Sequence, residues 1–207
     1  MTILVILVFV VSNDNIYESL YKSGYHSNLR LSHANSVIRR LHQQNVSSVL
    51  DLGCSHGYAV AALWKKGIQA NGVDIAPTAI KLASKVRGQG RCGEDPCFQT
   101  ANATALPFRN KHFSTLISTD VLEHLAPQDV DNAILEMIRV TRSDMWLKIA
   151  VSTERNKAPL EKLHTKNMHK DVLHLHTTLM NLDAWMKRFL RFGVSVTKKN
   201  DLLHVVI

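Results

Sequence analysis

The 207-residue sequence has few cysteines, no long apolar run and no block of like charge, and each shortage excludes a class of protein. Three cysteines, Cys54, Cys92 and Cys97, are too few for the disulfide framework of a small secreted domain, and no C-x-x-C pair suggests a zinc ribbon. Cys92 and Cys97 flank a short loop and could pair across it, but we expect reduced thiols. No apolar run approaches the roughly 20 residues of a membrane-spanning helix.

The positive charge of the chain is dispersed. The formal net charge is +8, a balance that suggests contact with nucleic acid or with another anion. However, no run reaches five like charges, which favours solvated helix faces, and the same charge would attract an anionic small molecule. The charge alone therefore does not identify a partner, and the sequence leaves the oligomeric state open.

The first residues differ in composition from the rest. Residues 3–11 are all apolar, too few to span a membrane and without the basic segment that opens a signal peptide. Their β-branched side chains suit an additional buried strand. The alternative is a part of a signal or anchor, which would make the protein membrane-associated or secretory instead of cytoplasmic, the location we predict.

From residue 45 onward, short apolar strands alternate with amphipathic helices. This alternation predicts a parallel sheet with helices on both faces, in which ligands bind beyond the carboxyl ends of the strands. We place the fifth strand at residues 145–152 and a C-terminal antiparallel hairpin at residues 194–207, for seven strands in all. Residues 1–44 are predicted to form an apolar segment and a helical lid, and residues 45–207 a ligand-binding domain.

The first two predicted strands end in glycine and carboxylate residues. The segment "DLGCSHG" begins at Asp51, where Gly53 permits a tight turn and Gly57 lets the next helix pack closely. The second strand ends at Asp74, at the separation where an acidic side chain holds ribose hydroxyls in nucleotide-binding units. Two alternatives stand. The turn also has the form of a hydrolase elbow with Ser55 as nucleophile, and Asp74 could cap the following helix.

Four motifs resemble, in order and spacing, those of the class I S-adenosylmethionine-dependent methyltransferases, and most closely their small-molecule branch, the "methyltransferase 11"-like enzymes. They are "DLGCSHG", "GVD", "ANATALPF" and "DVLEHL", and the resemblance covers about residues 47–151. It implies a Rossmann-like α/β fold with a mostly parallel seven-stranded sheet and S-adenosylmethionine as cofactor. It also implies methyl transfer to an oxygen or nitrogen of a small-molecule or sugar-like acceptor.

The resemblance implies which residues bind the cofactor. Those expected to surround it are Asp51, Gly53, Cys54, Gly57, Asp74, Ile75, Asn102, Ala103, Ser118 and Thr119. Among them, Asp74 would hold the ribose. Asn102 replaces the family's usual Asp and would accept a hydrogen bond from the adenine amino group. Ser55 replaces a glycine of the family's turn.

On the acceptor side the resemblance implies fewer roles. His124 is the candidate general base and Asp120 a candidate contact to acceptor or cofactor, although either could instead fix the adjoining loop. The residues we assign to the acceptor and to a lid over it are Tyr25, His26, His174 and His176. No carboxylate or thiol accompanies the histidines that follow the fifth strand, so we predict no metal site. Glu123 and His56 are left without a role.

Other functions fit the sequence less well. The turn lacks the G-x-G-x-x-G of hydride-transfer enzymes, and no acid–histidine pair follows in the order of a hydrolase. The chain also lacks the N/D-P-P-Y/F segment typical of enzymes that methylate exocyclic amines of bases, and only its positive charge favours a nucleic acid. An RNA or protein methyltransferase, or a catalytically silent cofactor-binding scaffold, is the alternative.

Overall fold

The computed structural model describes residues 13–24, 32–41, 46–151 and 176–207. In these ranges the helices are α1 (Asn13–Lys22), α2 (Ser32–Leu41), α3 (Tyr58–Lys65), α4 (Pro77–Arg87), α5 (Val130–Val140) and α6 (Leu182–Leu190), with a 3-10 helix at Leu122–His124. The strands are β1 (Ser48–Leu52), β2 (Gln69–Asp74), β3 (Phe98–Thr100), β4 (Phe113–Thr119), β5 (Thr141–Lys148), β6 (Ser195–Lys199) and β7 (Leu202–Val206).

The described strands form one seven-stranded sheet in the order β3-β2-β1-β4-β5-β7-β6. Strands β1 to β5 are parallel, whereas β7 runs antiparallel to both β5 and β6. The predicted Rossmann-like α/β fold with its C-terminal antiparallel hairpin is thus confirmed. The strand order reverses between β1 and β4, and the carboxyl ends of these two strands therefore flank the crevice where such sheets bind ligands.

Different helices cover the two faces of the sheet. Side chains of α2, α3 and α4 pack in one apolar cluster with Val49 of β1, while α5 and α6 pack in another with Leu50. Successive strand residues point to opposite faces, so neighbouring positions of β1 enter different clusters. Every residue of β1 is buried, as expected for a central parallel strand with helices on both sides.

The predicted bounds of the fifth strand are wrong. Strand β5 begins at Thr141, directly after α5, and ends at Lys148, four residues before the predicted end. Its first half is polar: Arg142 and Ser143 are exposed, and Asp144 accepts hydrogen bonds from Thr115 Oγ1 at 2.7 Å and Trp146 Nε1 at 2.9 Å. Side chains satisfied in this way can lie inside a sheet, but they interrupt the apolar pattern from which a strand is predicted.

The expectation of reduced thiols is wrong for one pair of cysteines. Cys92 and Cys97 form a disulfide with a Cα–Cα distance of 5.0 Å, whereas Cys54 is a free, buried thiol. The loop between the paired cysteines is held closed by Asn71. Its Nδ2 donates to the carbonyl oxygens of Cys92 at 3.0 Å and of Pro96 at 3.1 Å, which brings the two ends of the loop together.

The two N-terminal helices pack on the α/β body. Glu18 of α1 accepts hydrogen bonds from Thr78 N at 2.9 Å and Thr78 Oγ1 at 2.6 Å, which ties α1 to the start of α4. Helix α2 buries its apolar side against α3. The domain boundary at residue 44 stays a prediction, and residues 3–11 lie outside the described residues. None of the described helices combines the length and apolarity needed to cross a membrane.

Candidate active site

The turn after β1 is built by glycine and backbone hydrogen bonds. Gly53 N and Cys54 N both donate to Val73 O, at 2.8 and 2.9 Å, so the turn folds over the end of β2. Gly53 has φ +78°, and a Cβ there would overlap the side chain of Val121, which follows β4. Only glycine therefore lets the two strand ends approach this closely. Gly57, with φ +67°, packs in the same way against the Phe98 ring.

Ser55 occupies the family's middle glycine position and keeps the backbone that glycine favours. Its φ is +49°, and its N–H donates to Asp74 Oδ2 at 2.9 Å. Ser55 Oγ is buried, and no described group hydrogen-bonds it. A serine nucleophile needs a base within hydrogen-bond reach, so the hydrolase alternative loses its support.

Asp51 and Asp74 bring two carboxylates to the same edge of the sheet. Asp51 is 5% exposed and Asp74 is 8% exposed. Burial, followed by the nearby charge of Asp74, raises the pKa of Asp51 to about 7. Burial also raises the pKa of Asp74, although backbone N–H groups partly offset this effect. Two desolvated carboxylates in one place favour a ligand that brings positive charge or hydroxyl donors.

Asp74 also has a structural role. Its Oδ1 accepts from Ala76 N at 3.0 Å, just before α4 begins at Pro77, while its Oδ2 accepts from Ser55 N. The alternative that Asp74 caps this helix is wrong, because Ala76 is the N-cap and no side chain caps the helix, although Asp74 holds the residue that precedes it. The two bonds also fix the orientation of the carboxylate, which leaves further lone pairs for a ligand.

Asn102 lies in a tight turn beyond β3. The residue is exposed, and its Oδ1 accepts from Thr104 N at 3.0 Å and from Thr104 Oγ1 at 2.9 Å. The side-chain carbonyl that we expected to meet the adenine is thus bonded within its own turn in this structure. Ala103 beside it is buried, and Ile75, after β2, is half-buried.

The end of β4 completes the crevice. Ser118 is buried and its Oγ donates to Leu52 O at 3.1 Å, so it joins β4 to β1 just before the glycine turn. Thr119 is half-buried, and Asp120 follows with φ +54°. Asp120 N donates to Lys148 O at 2.9 Å, which positions this residue at the end of β5.

Beyond Asp120 the structure brings together a second group of polar residues. Glu123 is fully buried, and its Oε1 accepts from Ala150 N at 3.0 Å. Burial raises the pKa of Glu123 to about 8. The ring of His124 lies 4.7 Å from that of His176, and burial lowers the pKa of His176. The sequence assigns no role to Glu123, because its neighbour His176 comes from a segment more than 50 positions away.

Helix α1 contacts both the glycine turn after β1 and the polar residues beyond β4. Tyr17 contacts the His124 ring at 5.6 Å between centroids, and Tyr21 contacts the His56 ring at 5.9 Å. His56 itself is buried in the glycine turn, and its carbonyl oxygen accepts from Arg87 Nε at 3.2 Å. The predicted lid and acceptor residues Tyr25, His26 and His174 lie outside the described residues.

The fold and the strand-end residues resemble those of the class I S-adenosylmethionine-dependent methyltransferases. Residues 50–149 match the family model described as "Methyltransferase domain". The resemblance noted in the sequence is thereby confirmed, and with it S-adenosylmethionine as the cofactor. Buried carboxylates with raised pKa values fit this cofactor, which carries an ammonium group and two ribose hydroxyls.

Several known proteins similar to this chain are named as methyltransferases. Norajmaline N-methyltransferase from Rauvolfia serpentina is 26% identical over 70% of this chain and 53% of its own length. The O-methyltransferase resE from Aspergillus sclerotiorum is 30% identical over 54% of this chain and 42% of its own length. Magnesium protoporphyrin IX methyltransferase from Synechocystis, solved with bound S-adenosylhomocysteine, shares the fold with a TM-score of 0.69. It is 16% identical, over 93% of this chain and 98% of that one. The chain thus spans about half the length of the Rauvolfia and Aspergillus enzymes.

Proposed function

We propose that this protein transfers a methyl group from S-adenosylmethionine to an oxygen or nitrogen of a small-molecule acceptor. The observation that carries the proposal is the pair of buried carboxylates, Asp51 and Asp74, on either side of the glycine turn. Relatives named as N-methyltransferases and as an O-methyltransferase support both kinds of acceptor atom.

The residues of the chain divide the work of binding the cofactor. Asp51 would pair with the ammonium of the methionine half, next to the backbone of Gly53, Cys54 and Gly57. Asp74 would accept from the ribose hydroxyls, with Ile75, Asn102 and Ala103 near the adenine. When bound, S-adenosylmethionine supplies a methyl group on an excellent leaving group, so the protein mainly has to align the acceptor and exclude water.

The acceptor would lie beyond the end of β4, on the side of Asp120 and His124. Ser118 connects the end of β4 to the end of β1, and Tyr17 of α1 lies against His124. The half-buried side chains there give the acceptor polar contacts within a site that helix α1 partly shields from water.

Calorimetry with S-adenosylhomocysteine tests the cofactor site. We expect micromolar binding to the full chain and a loss of at least about tenfold in affinity in Asp74→Asn, because one ribose acceptor is replaced by a donor. Asp129→Asn is the matched control, since it removes one carboxylate at the start of α5. Equal affinity of the Asp74 variant and the control would contradict the assignment.

Turnover tests the reaction itself. Labelled S-adenosylmethionine, offered with a panel of small molecules that carry hydroxyl or amine groups, should give methylated product, and Asp74→Asn should need more cofactor to reach the same rate. Strong, salt-dependent RNA binding with methylation of RNA would instead establish a nucleic-acid enzyme. Cofactor binding without turnover on small molecules, RNA or protein would establish a scaffold.

A further inference from the structure

Three side chains that commonly bind metals converge beside the acceptor position. Glu123 and His124 lie in the 3-10 helix after β4, and His176 comes from the segment that precedes α6. One potential ligand atom from each residue lies within 4.8 Å of the other two. The sequence alone predicts no metal site because no carboxylate accompanies His176 there, but the fold supplies one from a distant position.

Two of these side chains carry a shielded polar atom that no described residue hydrogen-bonds. Glu123 is 0% exposed, and while Oε1 is bonded to Ala150 N, Oε2 is shielded from solvent and has no hydrogen-bond partner among the described residues. The same holds for Nδ1 of His176. Buried acceptors without a partner are unfavourable, and one cation could satisfy a carboxylate oxygen and an imidazole nitrogen together.

Backbone and threonine hydrogen bonds hold the two segments in place. Thr178 N donates to Glu123 O at 3.0 Å, and Thr178 Oγ1 donates to Leu125 O at 2.6 Å. Thr177 Oγ1 contacts the carbonyl oxygens of His124, at 3.0 Å, and of Leu125, at 2.7 Å. These contacts fix His176 against the 3-10 helix, so the three side chains meet without any rearrangement of the backbone.

We propose that Glu123, His124 and His176 bind a divalent transition metal ion of the zinc type. Two imidazoles and one carboxylate suit Zn²⁺, Mn²⁺ or Fe²⁺ better than Mg²⁺ or Ca²⁺, which prefer oxygen ligands. Three protein ligands leave at least one coordination position open, which is typical of catalytic rather than structural sites.

The position of the metal gives it a function. Val121, two residues before Glu123, packs against Gly53 of the cofactor turn, so the metal would lie on the side of the crevice where we place the acceptor. An acceptor hydroxyl bound at the open position would release its proton to solvent water more readily, since a metal ion lowers the pKa of a coordinated oxygen. The oxygen would then form the new bond to the methyl carbon as the carbon–sulfur bond breaks and S-adenosylhomocysteine leaves. His124 would then act as a ligand rather than as the general base predicted from sequence. This role rests on the proposed methyl transfer, whereas metal binding itself does not.

Direct metal binding is the test. The full chain, without an affinity tag that contains histidine, is treated with a chelator, dialysed, and titrated with Zn²⁺ by calorimetry and with Co²⁺ by visible absorption. We expect one ion per chain, and a loss of at least about tenfold in affinity in both Glu123→Gln and His176→Ala. Glu123→Gln keeps an acceptor for Ala150 N, so that variant should fold.

His112→Ala is the matched control, because His112 pairs with Asp95 on a loop outside the site. It should bind metal as the unmodified chain does. Absence of stoichiometric metal binding overturns the proposal, and so does unchanged affinity in Glu123→Gln and His176→Ala, which would place the ion elsewhere. Binding of S-adenosylhomocysteine is measured in parallel. If the chain binds S-adenosylhomocysteine but no metal, only the metal site is wrong. If it binds metal but no S-adenosylhomocysteine, only the proposed methyl transfer is wrong.

Discussion

The two halves of the crevice are held together by different means. In the cofactor half, around Asp51 and Asp74, backbone N–H groups and close-packed glycines position each side chain within a few residues of a strand end. In the acceptor half, the residues around Glu123 meet across more than 50 positions of sequence, and threonine side chains connect the segments. The cofactor half is thus fixed by local backbone geometry, and the acceptor half by contacts between distant segments.

This difference suits the chemistry of each half. A cofactor common to a whole family can be bound by a turn whose backbone tolerates little change. The acceptor varies among relatives, and a half built from side chains on separate segments can change without disturbing the sheet. The following predictions test how far each half depends on the feature that holds it.

The largest effect should come from filling the space at Gly53. We expect Gly53→Ala to lower the free energy of unfolding by about 3 kcal/mol, from the positive φ and from the overlap of the new Cβ with Val121. Urea denaturation followed by circular dichroism measures this change, and binding of S-adenosylhomocysteine should weaken as the turn is displaced.

Gly67→Ala is the matched control for this prediction. Gly67 has nearly the same φ, +77°, but a Cβ there meets nothing within 4 Å. It should lose only about 1 kcal/mol, the contribution of the backbone conformation alone. The double variant Gly53→Ala/Val121→Ala should recover part of the loss. If both single variants lost the same free energy of unfolding, Gly53 and Val121 would not be in close contact.

The second prediction concerns the charge of Asp51. Because the native pKa is raised from its ordinary value to about 7, the folded protein without ligand holds a proton that the unfolded chain releases above about pH 4. The contribution of Asp51 to stability is therefore greatest at low pH and declines as the pH rises toward 7. A ligand with an ammonium group favours the ionised form, so affinity for S-adenosylhomocysteine should rise about tenfold from pH 6 to pH 8.

Asp51→Asn should abolish this pH dependence and bind the ligand about tenfold more weakly at pH 8. Calorimetry across this pH range measures both effects. Asp144→Asn serves as control, because Asp144 is a well-shielded carboxylate of β5 whose partners are Thr115, Trp146 and His204 rather than the crevice. A pH dependence that persists in Asp51→Asn would show that another group attracts the ligand.

The local geometry of the cofactor half follows from the sequence for a physical reason. A glycine turn and an acidic strand end act through residues close in sequence, so their spacing reports their geometry, as the bonds of Asp74 to Ser55 N and Ala76 N show. In the cofactor half, the turn at Asn102 also has a local sequence signal. Asn102 followed by Thr104 is typical of a turn in which the Asn side chain bonds the backbone two residues on, as the structure shows.

The acceptor half could be predicted only in part. His124 and His176 were both singled out, but Glu123 was not, because no sequence spacing shows that it meets a histidine from the segment before α6. The errors in β5 and in the cysteine pair have a similar origin. Asp144 and Asn71 satisfy their hydrogen bonds through residues distant in sequence, and these contacts decide where the strand begins and how the loop closes.

The smallest effect should come from Ser55, which holds a left-handed backbone conformation in the cofactor half just as Asp120 does in the acceptor half. Their φ angles are +49° and +54°. This conformation is unfavourable for serine by roughly 1 kcal/mol and less so for aspartate. Glycine relieves the strain but gives the unfolded chain more conformational freedom, which offsets part of the gain. Ser55→Gly should therefore raise the free energy of unfolding by about 0.5 kcal/mol. Asp120→Gly should give no gain, since it also loses the contact with Lys148. Ser55→Ala keeps the Cβ, so its free energy of unfolding should be lower than that of Ser55→Gly in the same urea denaturation experiment. If alanine at position 55 proved as stabilising as glycine, the buried hydroxyl rather than the backbone would be the source of strain in the turn.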